Sequence, residues 1–110
     1  PREAASRTFA GWGVSTVDSV RSARQVLPES EVWASGGVRS GLDAAKLVAL
    51  GATRVGFAQP ALREALRGLE ALLNWMETIE LEFRIALFCT GSSSPENLRS
   101  RRVACTRRPT

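Results

Sequence analysis

The 110 residues suffice for one small domain, and a composition of 44% hydrophobic and 24% charged residues is that of a globular chain. No apolar run is long enough to span a bilayer, and with no His and only Cys89 and Cys105 the sequence argues against a zinc site or a His-dependent catalytic group of its own. The net charge of +4 is local: residues 1–98 hold 10 Lys and Arg against 11 Asp and Glu, whereas residues 99–110 add five Arg and no acid.

The chain opens at Pro1 with no charged-then-apolar leader, so no signal peptide is expected and the sequence reads as cut from something longer. A reducing, cytoplasmic setting fits the sparse cysteines, with Cys89 expected in the core near a helix end. Residues 1–14 show no period and read as a loop that could hold the end of a strand. At Ser15 the character changes. Ser15-x-x-Asp18 has the form of a helix N-cap, and Val17, Val20, Ala23 and Leu27 follow at helical spacing until Pro28, which predicts a helix over 16–27.

Glu31 to Gly37 is a short apolar run meeting a Gly pair, the pattern of a buried strand and a tight turn. Ser40-x-x-Asp43 repeats the cap, and Leu42, Ala45, Val48 and Ala49 share a face of the following helix, which Gly51 ends. Arg54 to Ala58 is a second strand, and Pro60 opens another helix. Leu62, Leu66, Leu69, Leu73, Met76, Ile79, Phe83 and Leu87 then recur at helical spacing to Gly91, a stripe expected to be core, with Gly68 as a break. Residues 100–110 form a basic tail without apolar period, expected to be disordered; without aromatic stackers or a recognition fold, nucleic acid is disfavoured as a partner.

Helix, strand, helix, strand, helix with short links calls for an α/β fold of parallel strands with helices outside. Two such strands cannot bury both faces, so the body reads as an excerpt of a larger sheet or barrel. The chemistry is expected between the two strand ends. Ser35-Gly36-Gly37-Val38-Arg39 precedes one helix, and Gly56-Phe57-Ala58-Gln59-Pro60 precedes the next. Glycines allow close backbone approach, helix starts offer N–H groups and positive potential, and Arg39 could add a charged bond: the requirements of a phosphate site. A lone Gly-Gly pair is satisfied by a tight turn; the second loop points to an anion.

The run from Trp33 to Ala52, WASGGVRSGLDAAKLVALGA, resembles the seventh βα unit of FMN-dependent (β/α)₈ barrels. Ser35 and Gln59 stand where most 2-hydroxy-acid oxidases of that group carry Asp and Arg. FAGWGVST over 9–16 is similar to the WGIPT segment of type 2 isopentenyl-diphosphate isomerases, with Ser15 in place of Pro. EFRIALFCTG over 82–91 resembles their C-terminal helix, and ENLR over 96–99 its closing turn.

The resemblance implies that residues 1–99 are the C-terminal part of an FMN-dependent TIM barrel, about strands seven and eight with flanking helices. It also implies that Gly37, Val38, Arg39, Ala58 and Gln59, with Gly36 in support, hold the FMN phosphate. The family interconverts isopentenyl and dimethylallyl diphosphate with reduced FMN, NADPH as reductant and Mg²⁺ on the diphosphate substrate, often as homo-oligomers. The family's metal-ligating Glu, its Gln and its flavin-contacting Lys have no counterpart here, so no catalytic residue or metal ligand is assigned, and the isolated chain is expected to be inactive. Trp12 is placed either near the active-site mouth or in loop packing. The alternatives are a piece of another FMN-dependent barrel oxidoreductase, resembling the 2-hydroxy-acid oxidases, or a non-enzymatic remnant or binding module.

Overall fold

The structure, a computed structural model, describes residues 1–100. The basic tail expected at 100–110 therefore lies outside the described residues from 101 onward. In chain order the elements are helix α1 (Arg2–Phe9), helix α2 (Thr16–Val26), strand β1 (Trp33–Ala34), helix α3 (Gly41–Ala49), strand β2 (Arg54–Val55), helix α4 (Gln59–Arg67), helix α5 (Leu69–Cys89) and helix α6 (Pro95–Arg99). The expected α/β alternation is present, and β1 pairs with β2 in parallel, Trp33 opposite Arg54 and Ala34 opposite Val55.

Local chemistry explains most boundaries. Ser15 and Ser40 cap α2 and α3, each side chain accepting the backbone N–H of the Asp three residues on, at 3.1 and 3.0 Å. Gly68, at φ +132°, separates α4 from α5. Residues 2–9 correct the reading of the first segment as loop: they are helical, with Glu3 in the first turn and Arg7 in the last, and none is buried. Without a buried face the helix has no apolar stripe to read, and its Ala, Arg and Glu content and end charges favour it locally.

The core lies on one side of the two-stranded sheet. Val20 of α2, Val32, Ala34, Val38, Leu47 of α3 and Ala52 form one buried cluster; Ala45, Val48 and Ala49 of α3 join Ala86 of α5 and Leu98 of α6 in a second. On α3, Leu42 departs from the expected buried face and is half exposed, while Ala44 and Leu47 are buried. The sheet's other face is open: Trp33 is 71% exposed, its indole N–H donates to Glu31 at 2.7 Å, and the Arg54 guanidinium lies 5.9 Å from its ring centre.

Two further expectations are corrected. The stripe along α4 and α5 is not core at Leu62, Leu66, Leu69, Leu73 and Met76, which are exposed. Helical spacing marks an apolar face, but burial needs a partner, and within this chain α3 covers only the later part of α5, around Phe83 and Ala86. Cys89, placed in the core from sequence, is exposed at the end of α5. With these side chains open and the strand edges unpaired, the isolated chain is expected to self-associate at micromolar concentration or to melt over a broad range. Light scattering coupled to size exclusion, with a thermal melt, tests this; a monomer with a sharp two-state transition contradicts it.

Candidate functional site

The strand ends and the helix starts that follow them build the site. β1 runs into Ser35 and then Gly36 and Gly37, with φ of +104° and +73°. L-residues with a Cβ disfavour both conformations, so the glycines are required for the chain to turn here. After β2 the chain passes through Gly56, Phe57 and Ala58 into α4 at Gln59. Gly56 N donates to Ala34 O at 2.8 Å, which holds the two strand ends side by side.

All six residues expected at the site line one cavity of about 170 Å³: Gly36, Gly37, Val38 and Arg39 on one wall, Ala58 and Gln59 on the other, with Ser35, Gly56 and Pro60 completing it. Their chemistry is compatible with an anion. The N–H groups of Gly37 and Val38 have no hydrogen-bond partner within the described residues. α2, α3 and α6 are each capped by a serine hydroxyl, but Ala58, the residue before α4, offers no side-chain cap, and the helix has no acid in its first turn. The N–H of Gln59, a residue of the cavity wall, has no hydrogen-bond partner among the described residues, and the helix dipole favours negative charge at this end.

Arg39 differs in detail from the expectation. Its backbone N–H donates to Asp43 Oδ2 at 3.1 Å, so its free contribution is the guanidinium. Beyond Arg39 and Gln59 an adjoining cavity of about 210 Å³ also takes in Arg63, Glu64 and Trp75. Arg39 and Arg63 have no ion-pair partner among the described residues, whereas Glu64 is held by Arg67 at 2.9 Å. Trp12 is not among the residues lining the cavity; it is 77% exposed and packed edge-on against Phe9 with ring centres 5.5 Å apart.

Sequence reading missed two residues that shape the loops. Thr16 Oγ1 donates to the carbonyls of Gly36 at 2.7 Å and Ser35 at 3.2 Å. Arg24, 8% exposed, reaches from α2 to the far end of α3: Nε and Nη2 donate to Gly51 O at 3.1 and 2.6 Å, and Nη1 to the carbonyls of Leu27, Pro28 and Ser30 at 3.1, 3.0 and 2.8 Å. Nothing in the spacing marks Arg24, because its partners are backbone atoms brought near only by folding.

No group of three or more His, Cys, Asp or Glu among the described residues is arranged to hold a metal ion, and no described helix is long and apolar enough to cross a membrane.

Residues 9–105 match the sequence profile of the FMN-dependent dehydrogenase family. Among curated proteins the chain is similar to the isopentenyl-diphosphate delta-isomerase of Legionella pneumophila strain Corby, 50% identical over 100 residues, or 91% of this chain and 29% of that protein. The corresponding enzyme of Bdellovibrio bacteriovorus is 47% identical over 98 residues, 89% of this chain and 28% of that protein. That of Metallosphaera sedula is 44% identical over 94 residues, 86% and 26%. The chain thus spans less than a third of the length of these relatives.

Proposed function

The chain belongs to the FMN-dependent dehydrogenase family, and we propose that it is the flavin-phosphate-binding end of a type 2 isopentenyl-diphosphate delta-isomerase. In this reading β1 and β2 are strands seven and eight of a (β/α)₈ barrel, a position where loops of such barrels commonly form a phosphate site. The relatives' shared name supports the isomerase over a hydroxy-acid oxidase, as do Ser35 and Gln59 in place of Asp and Arg. The observation that carries the reading is the single cavity joining Gly36, Gly37, Val38 and Arg39 to Ala58 and Gln59.

The residues present fit the phosphate of FMN. Gly37, Val38 and Gln59 would donate backbone N–H groups to its oxygens, Gly36 would let the loop approach, Ala58 would leave the helix start uncapped, and Arg39 would add charge. When bound, reduced FMN would supply proton transfer to and from the allylic carbons of the diphosphate substrate. This chain's own part is to anchor the cofactor's phosphate and so fix the position of the attached ring. NADPH, Mg²⁺, homo-oligomeric assembly and a cytoplasmic location belong to the proposal for the whole protein. Because the chain spans only 29% of the Legionella pneumophila strain Corby enzyme, the chain alone is expected to bind without turnover.

The test is a fluorescence titration of the 110-residue chain with FMN and with riboflavin, which lacks the phosphate. FMN is expected to bind at least about tenfold more tightly, the worth of one or two charge-assisted hydrogen bonds. Arg39→Gln should reduce the preference without abolishing it, since the backbone donors remain. Equal affinity for the two flavins would sink the reading.

A further inference from the structure

We infer that Thr16 is a positioning residue for the anion-binding loop: its hydroxyl, on the helix before β1, aims the loop's N–H groups at the cavity. The inference rests on the reading of that cavity as a phosphate site and names a residue that sets its affinity.

Thr16 is the first residue of α2, but it does not cap the helix. Ser15 does, accepting the Asp18 N–H at 3.1 Å. The Thr16 hydroxyl is thereby left to cross to the strand end, where one O–H is shared between Gly36 O at 2.7 Å and Ser35 O at 3.2 Å. The contact spans 20 residues, and Thr16 Oγ1 lies 3.0 Å from where a Cβ on Gly36 would stand, so the loop is seated against α2.

Peptide planarity carries the consequence. No peptide bond in the described chain is cis. In a trans peptide the carbonyl and the following N–H point in opposite directions. Holding the Ser35 and Gly36 carbonyls toward α2 therefore turns the Gly36 and Gly37 N–H groups away from it. Gly36 and Gly37 share the candidate cavity with Gly56, Ala58 and Gln59, and Thr16 is not part of its lining. Both glycines have positive φ, a region in which glycine has wide freedom. An external hydrogen bond is needed to select one peptide orientation, and Thr16 supplies it. Preorganised donors bind an anion better than donors that must be ordered on binding.

The experiment compares Thr16→Val, which keeps the shape and loses the donor, with Thr16→Ser, which keeps the donor. FMN and riboflavin affinities are measured for the full chain and both variants. Thr16→Val is expected to weaken FMN binding about tenfold, the effect of one lost hydrogen bond on a shared set of donors, and to leave riboflavin binding within about twofold. Thr16→Ser is expected to restore FMN binding to within about twofold. An unchanged FMN-to-riboflavin ratio in Thr16→Val overturns the inference while leaving the phosphate reading standing. So does a Thr16→Ser variant as weak as Thr16→Val, and so does an equal loss for both flavins, which would mark a merely structural role. If the unaltered chain shows no preference for FMN, the phosphate reading fails and this inference falls with it.

Discussion

Replacing Arg24 by leucine is expected to lower the unfolding free energy by about 3 kcal/mol, a large share of what a domain of this size holds. Arg24 is 8% exposed, and its guanidinium binds four backbone carbonyls, those of Gly51, Leu27, Pro28 and Ser30. No acid pairs with it among the described residues; its charge is met by carbonyl dipoles. Leucine restores apolar volume but leaves those oxygens with one partner fewer, and the cost of an unmet buried acceptor outweighs the gain. The carbonyls sit on two separate turns, one after α2 and one after α3. Arg24 therefore ties together the two helices that carry the walls and approach of the candidate site. Arg24→Lys should recover less than half the loss, because a single ammonium cannot span both turns as the planar fork does. Urea midpoints for the three proteins test this. A leucine variant within about 0.5 kcal/mol of the parent would show that water replaces the side chain without cost.

Gly41→Val is the second change with a large expected effect. A Cβ at Gly41 would strike the Ile79 carbonyl oxygen and would lie 2.6 Å from Glu82 Cβ and 2.7 Å from Phe83 N. Two of these are backbone atoms of α5 and cannot rotate away, so the helices would have to separate. Gly41 N also donates to Glu82 Oε1 at 2.7 Å, a cap for α3 supplied by another helix, and separation would break it. Overpacking at such a contact typically costs about 1–3 kcal/mol, and the lost cap about 1 more. The expected result is a lower thermal midpoint and a weaker helical signal than the parent chain, both read by circular dichroism on heating. Glu82→Gln, which keeps the acceptor, should stay within about 1 kcal/mol of the parent.

The candidate site was more legible in the sequence than the core. Gly36 and Gly37 announced a turn, and Ser40 with Asp43 announced the helix after it, because both depend on residues within four positions. The second loop, from Gly56 to Pro60, could be paired with the first because strand and helix alternate. That Asp43 occupies the Arg39 N–H, leaving the guanidinium as Arg39's contribution, was not legible: it depends on a side-chain rotamer. α1 was missed because a helix without a buried face leaves no period to read. Leu62, Leu66 and Leu69 were misjudged for the opposite reason: their period is clear, but period reports a face and not what covers it.

The sequence by itself determined the local events: caps at Ser15 and Ser40, the turn at Gly36 and Gly37, the break at Gly68, and the order of helices and strands. Each is decided by backbone preference and by hydrogen bonds over a few residues, which is information a linear string carries. Only the tertiary structure decided that Arg24 reaches Gly51, that Thr16 holds the Ser35 and Gly36 carbonyls, and that Gly41 must lack a side chain to meet Ile79 and Phe83. These contacts join residues about 20 to 40 positions apart through backbone atoms. A backbone carbonyl has the same chemistry at every position, so nothing in the sequence distinguishes the ones that folding brings together.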